Sequence, residues 1–391
     1  SLTDLYFDSH LALDLAPSLR LVAGIDNIYG KAHNASSDWD YFQNVNGTNP
    51  PDINIFSPFG TTDLRDNRDY SGLYAQTEWT PTHRWRIQLG ARLNHTHESL
   101  DATAASLIPM SLVTTPGPGN VAAKDVSVGP GSARRTVTRG SGSAGVSYLA
   151  WEGGENSIWV YGDYRNTFKP AALDFGPDVN GIILKPETSR SYEAGLKGRQ
   201  LGGHFDWEVS LFQMDFKNLV VGQIDPVTGN PRLVNAGNDR FKGVELEAEY
   251  RLAGDLRLQG VGSYHNARYT DFLAESLAGE LVQLAGNRLP LSAHDLGGLG
   301  LIYYPSSGVT GWAALNYTGS RFLDRENTAL TPSFTTWSAG VGYRFAGYEL
   351  RLDGWNLNDT RPPIAASEFG PDQFYRMNGR SFRGTAIFHF M

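Results

Sequence analysis

Glu245, Glu247 and Glu249 stand at alternate positions of one short stretch, and paired carboxylates are the usual material for general acid–base work or cation binding. In an extended chain they would share one face, about 7 Å apart per step. Between and beyond them lie Val244, Leu246, Ala248 and Tyr250, so the opposite face is apolar. Other motifs carry less chemistry. His95 and His97 would share one strand face, but no third ligand lies nearby, and a rim pair explains them better than a metal site. Gly140-Ser-Gly-Ser-Ala-Gly145 does not have the nucleophile-elbow pattern and falls in a strand. Gly260-x-Gly262 lacks the third glycine and the following helix of a dinucleotide site. The chain has no cysteine, which removes thiol catalysis, disulfides and cysteine-ligated metals. Neither an enzymatic activity nor a cofactor or metal is expected.

The glutamates sit in a hairpin from Asn235 to Thr270. Its second arm sets Leu256 and Leu258 against Asp255, Arg257 and Gln259, and only Leu252-Ala253-Gly254 separates the arms. One apolar and one charged face recur along the whole chain. The first strand, near Asp4–Leu15, places Leu5, Phe7, Leu11, Leu13 and Leu15 opposite Asp4, Asp8, His10 and Asp14. Near Arg84–Glu98, Trp85, Ile87, Leu89, Ala91 and Leu93 oppose Arg84, Arg86, Gln88 and Arg92. Near His204–Gln223 the apolar parity switches from Leu211 to Met214 and Phe216, which predicts a bulge. Long polar segments, 34–68 and 99–134, read as loops, and the last strand is expected near Arg376–Phe390.

The chain has 391 residues and a net charge of −8, from 33 Lys+Arg and 41 Asp+Glu, which argues against nucleic acid as a partner. No apolar run approaches the roughly 18–20 residues of a membrane helix. The mean hydropathy of −0.33 does not exclude a membrane barrel, whose inner face and loops are polar. The pattern predicts an all-β fold with about fifteen antiparallel strands of membrane-crossing length. Connections alternate between short and long, and Tyr and Trp recur near strand ends. Both are features of a transmembrane barrel in the outer membrane of a Gram-negative bacterium, with outer-membrane lipid against its apolar face. If the last strand descends to the periplasm, the first also descends, giving an odd count. Closed bacterial barrels have even counts, so further strands are expected upstream of Ser1.

From Tyr161 onward the chain resembles the C-terminal part of the barrel of TonB-dependent outer-membrane receptors. Leu184-Lys-Pro-Glu187-Thr-Ser-Arg-Ser-Tyr192-Glu193-Ala-Gly195-Leu-Lys-Gly198 is similar to that family's "LKPE…YE-G-K" strand, and is the most specific match. Tyr161 to Pro170, Asn235-Ala-Gly237 through Gly243-Val-Glu245-Leu-Glu247, Leu289-Pro290, and Trp355 to Asp359 also fit. The first 160 residues match only in style, best at Gly72-Leu-Tyr74-Ala-Gln76 and Gly90-Ala-Arg92. The family barrel has about twenty-two strands, which makes residues 1–391 its C-terminal portion. No part of the sequence resembles the N-terminal plug domain or the motif that engages the coupling protein. The family usually ends on an aromatic residue, whereas here Met391 follows Phe390.

The resemblance implies an active-transport receptor that binds a scarce nutrient, a ferric siderophore or similar chelate, and imports it with energy from the TonB system. The alternative is a passive porin of about sixteen strands. The TonB complex would be reached through the missing N-terminal part, and the barrel-assembly machinery through the C-terminal strand. On this reading Glu245, Glu247, Glu249, Arg251, Arg257, Glu349, Arg351 and Asp353 line the lumen and face the plug. The chelate would meet the external loops. Trp39, Tyr41, Phe42, Phe56, Arg65, Arg68, Arg321, Arg325, Phe374 and Tyr375 are the candidates, because aromatic rings and guanidinium groups suit a planar anionic ligand.

Overall fold

A computed structural model describes residues 1–38, 60–106, 131–170, 183–224, 231–275, 281–366 and 374–388. Among them there is no helix. The strands are β1 (Leu2–Ala16), β2 (Leu19–Asp38), β3 (Gly60–Thr82), β4 (Trp85–Ser106), β5 (Gly131–Gly153), β6 (Asn156–Lys169), β7 (Glu187–Gln200), β8 (Phe205–Ile224), β9 (Pro231–Ala253) and β10 (Leu256–Glu275). They continue with β11 (Leu281–Gln283), β12 (Asp295–Tyr303), β13 (Gly308–Thr318), β14 (Arg321–Phe322), β15 (Leu330–Thr331), β16 (Phe334–Phe345), β17 (Tyr348–Trp355), β18 (Pro363–Ala366), β19 (Phe374–Arg376) and β20 (Ser381–Phe388).

One antiparallel sheet runs in the order β1-β2-β3-β4-β5-β6-β7-β8-β9-β10-β12-β13-β16-β17-β20, with β11 attached to β10. The expected fifteen strands are present, each paired with its neighbour in sequence. Two small hairpins, β14–β15 and β18–β19, stand apart from it. Among the described residues β1 pairs only with β2, and β20 only with β17. Both residue parities of β1 are exposed.

The short connections follow from local chemistry. Gly254 adopts φ +50° between β9 and β10, and Ala346 and Gly347 both have positive φ between β16 and β17. Two left-handed residues in a row are what a two-residue hairpin turn requires to match strand twist. Cross-strand rows then keep one parity on one face. Leu196, Val209 and Leu246 lie side by side, as do Leu258, Leu301 and Ala313. Leu196, Leu211, Leu246, Leu299, Val341 and Leu352 are all exposed on this outer face. A continuous apolar belt of that kind belongs against lipid.

The structure corrects the sequence reading in three places. Residues 34–38, 60–68, 99–106 and 131–134 are paired strand, because β2 to β5 continue well beyond the belt. The parity switch in β8 is no bulge: register with β7 is unbroken from Phe205 to Lys217, and Met214 and Phe216 sit on the inner face. The shift in register comes later, at Lys217/Leu219 against β9, where Asn218 has φ 58°. The last strand begins at Ser381, since Phe374–Arg376 pairs instead with Pro363–Ala366. Phe390 and Met391 lie outside the described residues.

Candidate functional site

The candidate residues fall in three regions, two on the polar inner face and one above the belt. The first spans β6 to β10. Glu245 and Glu247 are paired in register with Ser210 and Glu208 of β8, and Glu249 with Asp206. The Tyr161 hydroxyl donates to Glu193 at 2.8 Å and is 2.6 Å from Glu208, so one phenol bridges two carboxylates. Lower down, Arg251 lies 3.2 Å from Asp206 and 3.6 Å from Glu249, and Arg257 3.8 Å from Glu249. Gln259 also donates to Glu249 at 2.9 Å. Glu245 and Glu247 stay exposed, and with Glu193 and Glu208 they line a cleft of about 570 Å³. Four carboxylates around one open cleft form a surface for cationic groups, so Glu193 and Glu208 extend the glutamates singled out from sequence. Their signal was available in the alternation of β7 and β8. That both would meet Tyr161 required the register.

The second region is β17. Glu349, Arg351 and Asp353 do share the inner face, but four strands separate them from β9. Their charges are already engaged. Glu349, 1% exposed, accepts from Tyr304 at 2.8 Å and Arg344 at 3.0 Å, and the Arg344 guanidinium lies 4.1 Å from the Tyr304 ring centroid. Asp353 accepts from Trp312 and from Arg351, each at 2.8 Å. Buried pairs of this kind hold geometry, because removing one partner strands a desolvated charge. The residues expected to form one wall are therefore two clusters, one open and one closed.

The third region lies above the belt, where the candidate ligand contacts were expected. Trp39, Tyr41, Phe42 and Phe56 lie outside the described residues. Arg65 and Arg68 point to opposite faces of β3. Arg65 is outward and 3.4 Å from Asp63, while Arg68 is inward and paired with Glu98. Arg321 is buried, donates to the Pro363 carbonyl and lies over the Phe334 ring at 4.9 Å. That contact joins β14 to the β18–β19 hairpin, which carries half-buried Phe374 and exposed Tyr375. Arg325 turns elsewhere, donating to the Gly222 carbonyl at 2.8 Å and lying 5.8 Å from the Phe272 ring centroid. Arg321 and Arg325 thus brace loops.

What the sequence reading missed here is that the upper inner face is a core. Leu64, Leu100, Ala102 and Ile183 form one buried cluster, and Tyr269, Phe272, Ala274 and Leu284 another. Each cluster encloses a carboxylate. Burial, then the neighbouring Glu98, pushes Asp66 up to about 6 against the pull of Arg68. Burial, then Glu187, pushes Asp239 up to about 6. His95 and His97 face outward and hydrogen-bond to Thr138 and Thr136 at 2.8 and 2.9 Å. No cluster of metal-ligating side chains occurs among the described residues.

A family model described as "TonB dependent receptor-like, beta-barrel" matches residues 2–358. The ferrioxamine B receptor of Salmonella typhimurium is 27% identical over 218 residues, covering 53% of this chain and 29% of that protein. The metal-pseudopaline receptor CntO of Pseudomonas aeruginosa is 25% identical over 378 residues, covering 91% and 48%. Among solved structures, the ferric yersiniabactin uptake receptor FyuA of Yersinia pestis superposes with a TM-score of 0.73 at 19% identity. That match covers all of this chain and 54% of the other. The chain thus spans at most about half the length of these proteins.

Proposed function

The chain belongs to the TonB dependent receptor-like β-barrel family, and from that premise we propose that it forms part of an outer-membrane receptor importing a ferric siderophore or similar metal chelate with TonB-derived energy. The observation that carries this reading is the match over residues 2–358, together with relatives named as receptors for metal chelates. The outer-membrane location follows from the family and from the apolar belt. The fifteen strands are read as the C-terminal portion of a barrel of about twenty-two. Upstream strands would pair with the free edges of β1 and β20 and close it.

Within that barrel the cleft of Glu193, Glu208, Glu245 and Glu247 is the surface offered to the plug, through which TonB would act. Glu245 and Glu247 are open there to a cationic partner, whereas Glu349 is committed to Arg344 and Tyr304 and Asp353 to Arg351 and Trp312. Weak, water-exposed pairs suit a contact that must release, because screening keeps each one small. Trp39, Tyr41, Phe42 and Phe56, which lie outside the described residues, are retained as chelate contacts together with Tyr375 and Arg68. Arg321 and Arg325 act by holding the loops in place. The barrel-assembly machinery would read β20, whose Phe382, Ala386 and Phe388 share the outer face.

Two measurements test this. Cells expressing the full-length protein should accumulate labelled ferric chelate only when TonB is functional. Uptake without TonB, or constitutive conductance in planar bilayers, would return the passive porin. Changing Glu245, Glu247 and Glu249 together to Gln should leave chelate binding intact and slow energised uptake. Unchanged uptake would remove the glutamates from plug release.

A further inference from the structure

The Leu184-Lys-Pro-Glu187 and Asn235-Ala-Gly237 stretches, separate in the sequence, meet in space. Residues 183–186 lead into β7 and fold inward above the belt, where Ile183 and Leu184 pack on the cluster of Leu64 and Leu100. The four carbonyls of this strap are gripped by side chains from three strands. Arg135 of β5 donates to those of Ile183 and Leu184 at 2.9 and 2.7 Å. Asn235 of β9 donates to the Lys185 carbonyl at 3.0 Å and accepts from the Lys185 N–H at 2.7 Å. One carboxamide thus pairs with that residue as a neighbouring strand would. Asn218 of β8 donates to the Pro186 carbonyl at 3.1 Å.

On this fixed backbone one side chain is left open. Ile183 and Pro186 are buried and Leu184 is half-buried, while Lys185 is exposed. Pro186 restricts Lys185 to an extended conformation, and Asn235 holds the same residue in place. Asn235 is itself anchored, because its amide also donates to the Asn218 carbonyl at 2.9 Å. Two residues further on, a Cβ at Gly237 would collide with the Asp271 carbonyl, so glycine lets β9 and β10 close there. Neighbouring cations above the belt already have partners. Arg68 is paired with Glu98, Lys169 lies 3.2 Å from Glu187, and Arg325 donates to the Gly222 carbonyl. Among the described residues Lys185 forms no ion pair.

We propose that Lys185 is a ligand-selecting residue of the barrel mouth, its ammonium taking an anionic oxygen of the incoming metal chelate, and that Asn235 is its positioning residue. The proposal rests on the receptor reading given above and adds to it a preference for chelates of negative charge. An ammonium group carried by an already ordered backbone binds such an oxygen with little further ordering of the chain. At a site open to water, that contact discriminates by the sign of the charge more than by shape, so carboxylate and catecholate chelates both fit it.

The test measures equilibrium binding to the full-length protein in detergent, by quenching of its intrinsic fluorescence. Two probes are used: a ferric tris-catecholate, which is anionic, and ferrioxamine B, which carries a free ammonium group. The parent should bind the anionic probe more tightly. Lys185→Gln should weaken that binding by about tenfold and leave ferrioxamine B unchanged, whereas Lys185→Arg should keep the parent preference. Asn235→Ala should show the same selective loss, and combining it with Lys185→Gln should add nothing, because one residue acts through the other. Binding of neither probe by the parent would remove the chelate-receptor reading and this proposal with it. Anionic-probe binding unaffected by Lys185→Gln, equal loss for both probes, a parent preference for ferrioxamine B, or additive losses from the two substitutions would each overturn the roles given to Lys185 and Asn235 and leave the receptor reading standing.

Discussion

Along β3, Leu73, Ala75 and Trp79 face outward while Tyr74 and Gln76 face inward; only a few residues further up, Asp63 and Arg65 face outward while Leu64 and Asp66 face inward. β8 behaves the same way, with Val209 and Leu211 outside below and Met214 and Phe216 inside above. Lower and upper tiers are one continuous sheet with opposite polarity. The backbone does nothing special at the boundary, because register runs through it. The surroundings change instead. In the lower tier lipid takes the apolar parity and the polar parity faces inward. In the upper tier water covers the outside, so the apolar parity turns inward and packs against chain folding over it, as Ile183 does on Leu64 and Leu100. A period-two pattern thus specifies a strand at any height, but which face is apolar reports the local solvent.

The comparison can be broken by substitution. Phe272 is fully buried beneath Arg325, so Phe272→Ala should cost the upper tier about 3–5 kcal/mol. Hydrogen exchange should rise around 221–222 and 284–289 while the belt stays protected, and uniform destabilisation would deny that the tiers are separable. Leu246→Arg, within the belt, should cost up to about 2–4 kcal/mol in denaturant titrations in lipid. Its same-face neighbour Lys242 is tolerated because it lies above the boundary, and Gln213→Arg should be tolerated for the same reason. Equal effects of Leu246→Arg and Gln213→Arg would erase the boundary.

A smaller effect comes from Asp66. Its folded pKa, about 6, lies above the ordinary carboxylate value of 3.8. The folded upper tier therefore binds the proton more tightly than the unfolded chain does. The contribution of Asp66 to its stability is fully present below about pH 4 and is lost as pH rises towards 6, by on the order of 2–3 kcal/mol. Asp66→Asn should make the upper tier more protected at pH 7 and flatten that dependence. A profile unchanged by Asp66→Asn would mean that the carboxyl is solvated. Asp239, held in the other upper cluster, should add a dependence of the same sign.

Much of this was legible from residue order. Alternation located all fifteen main strands, and the glutamates of β9 were placed on the correct parity. The ends of strands were not legible in the polar stretches 34–38 and 60–68. Ser36, Ser37, Thr61 and Thr62 lack an apolar partner in sequence that would mark a face. Leu64 and Leu100 were visible as letters, but they define a core only once Ile183, more than eighty residues downstream of Leu100, lies on them. The same limit applied to the candidate site. The eight charges assigned to one wall carry equivalent labels in the sequence, and only the sheet order separates β9 from β17.

By itself the sequence determined the strand class, the strand count, the lipid-facing parity of the belt and the family resemblance. These depend on contacts between near neighbours and on period-two geometry, both of which are local. The tertiary structure alone decided where the polarity inverts, that Arg65 and Arg68 face apart, that Arg321 and Arg325 brace loops, and that Glu349 and Asp353 are already paired while Glu245 and Glu247 stay open. Those outcomes depend on which distant side chain arrives to desolvate or neutralise a charge, and strand pairing across hundreds of residues settles that.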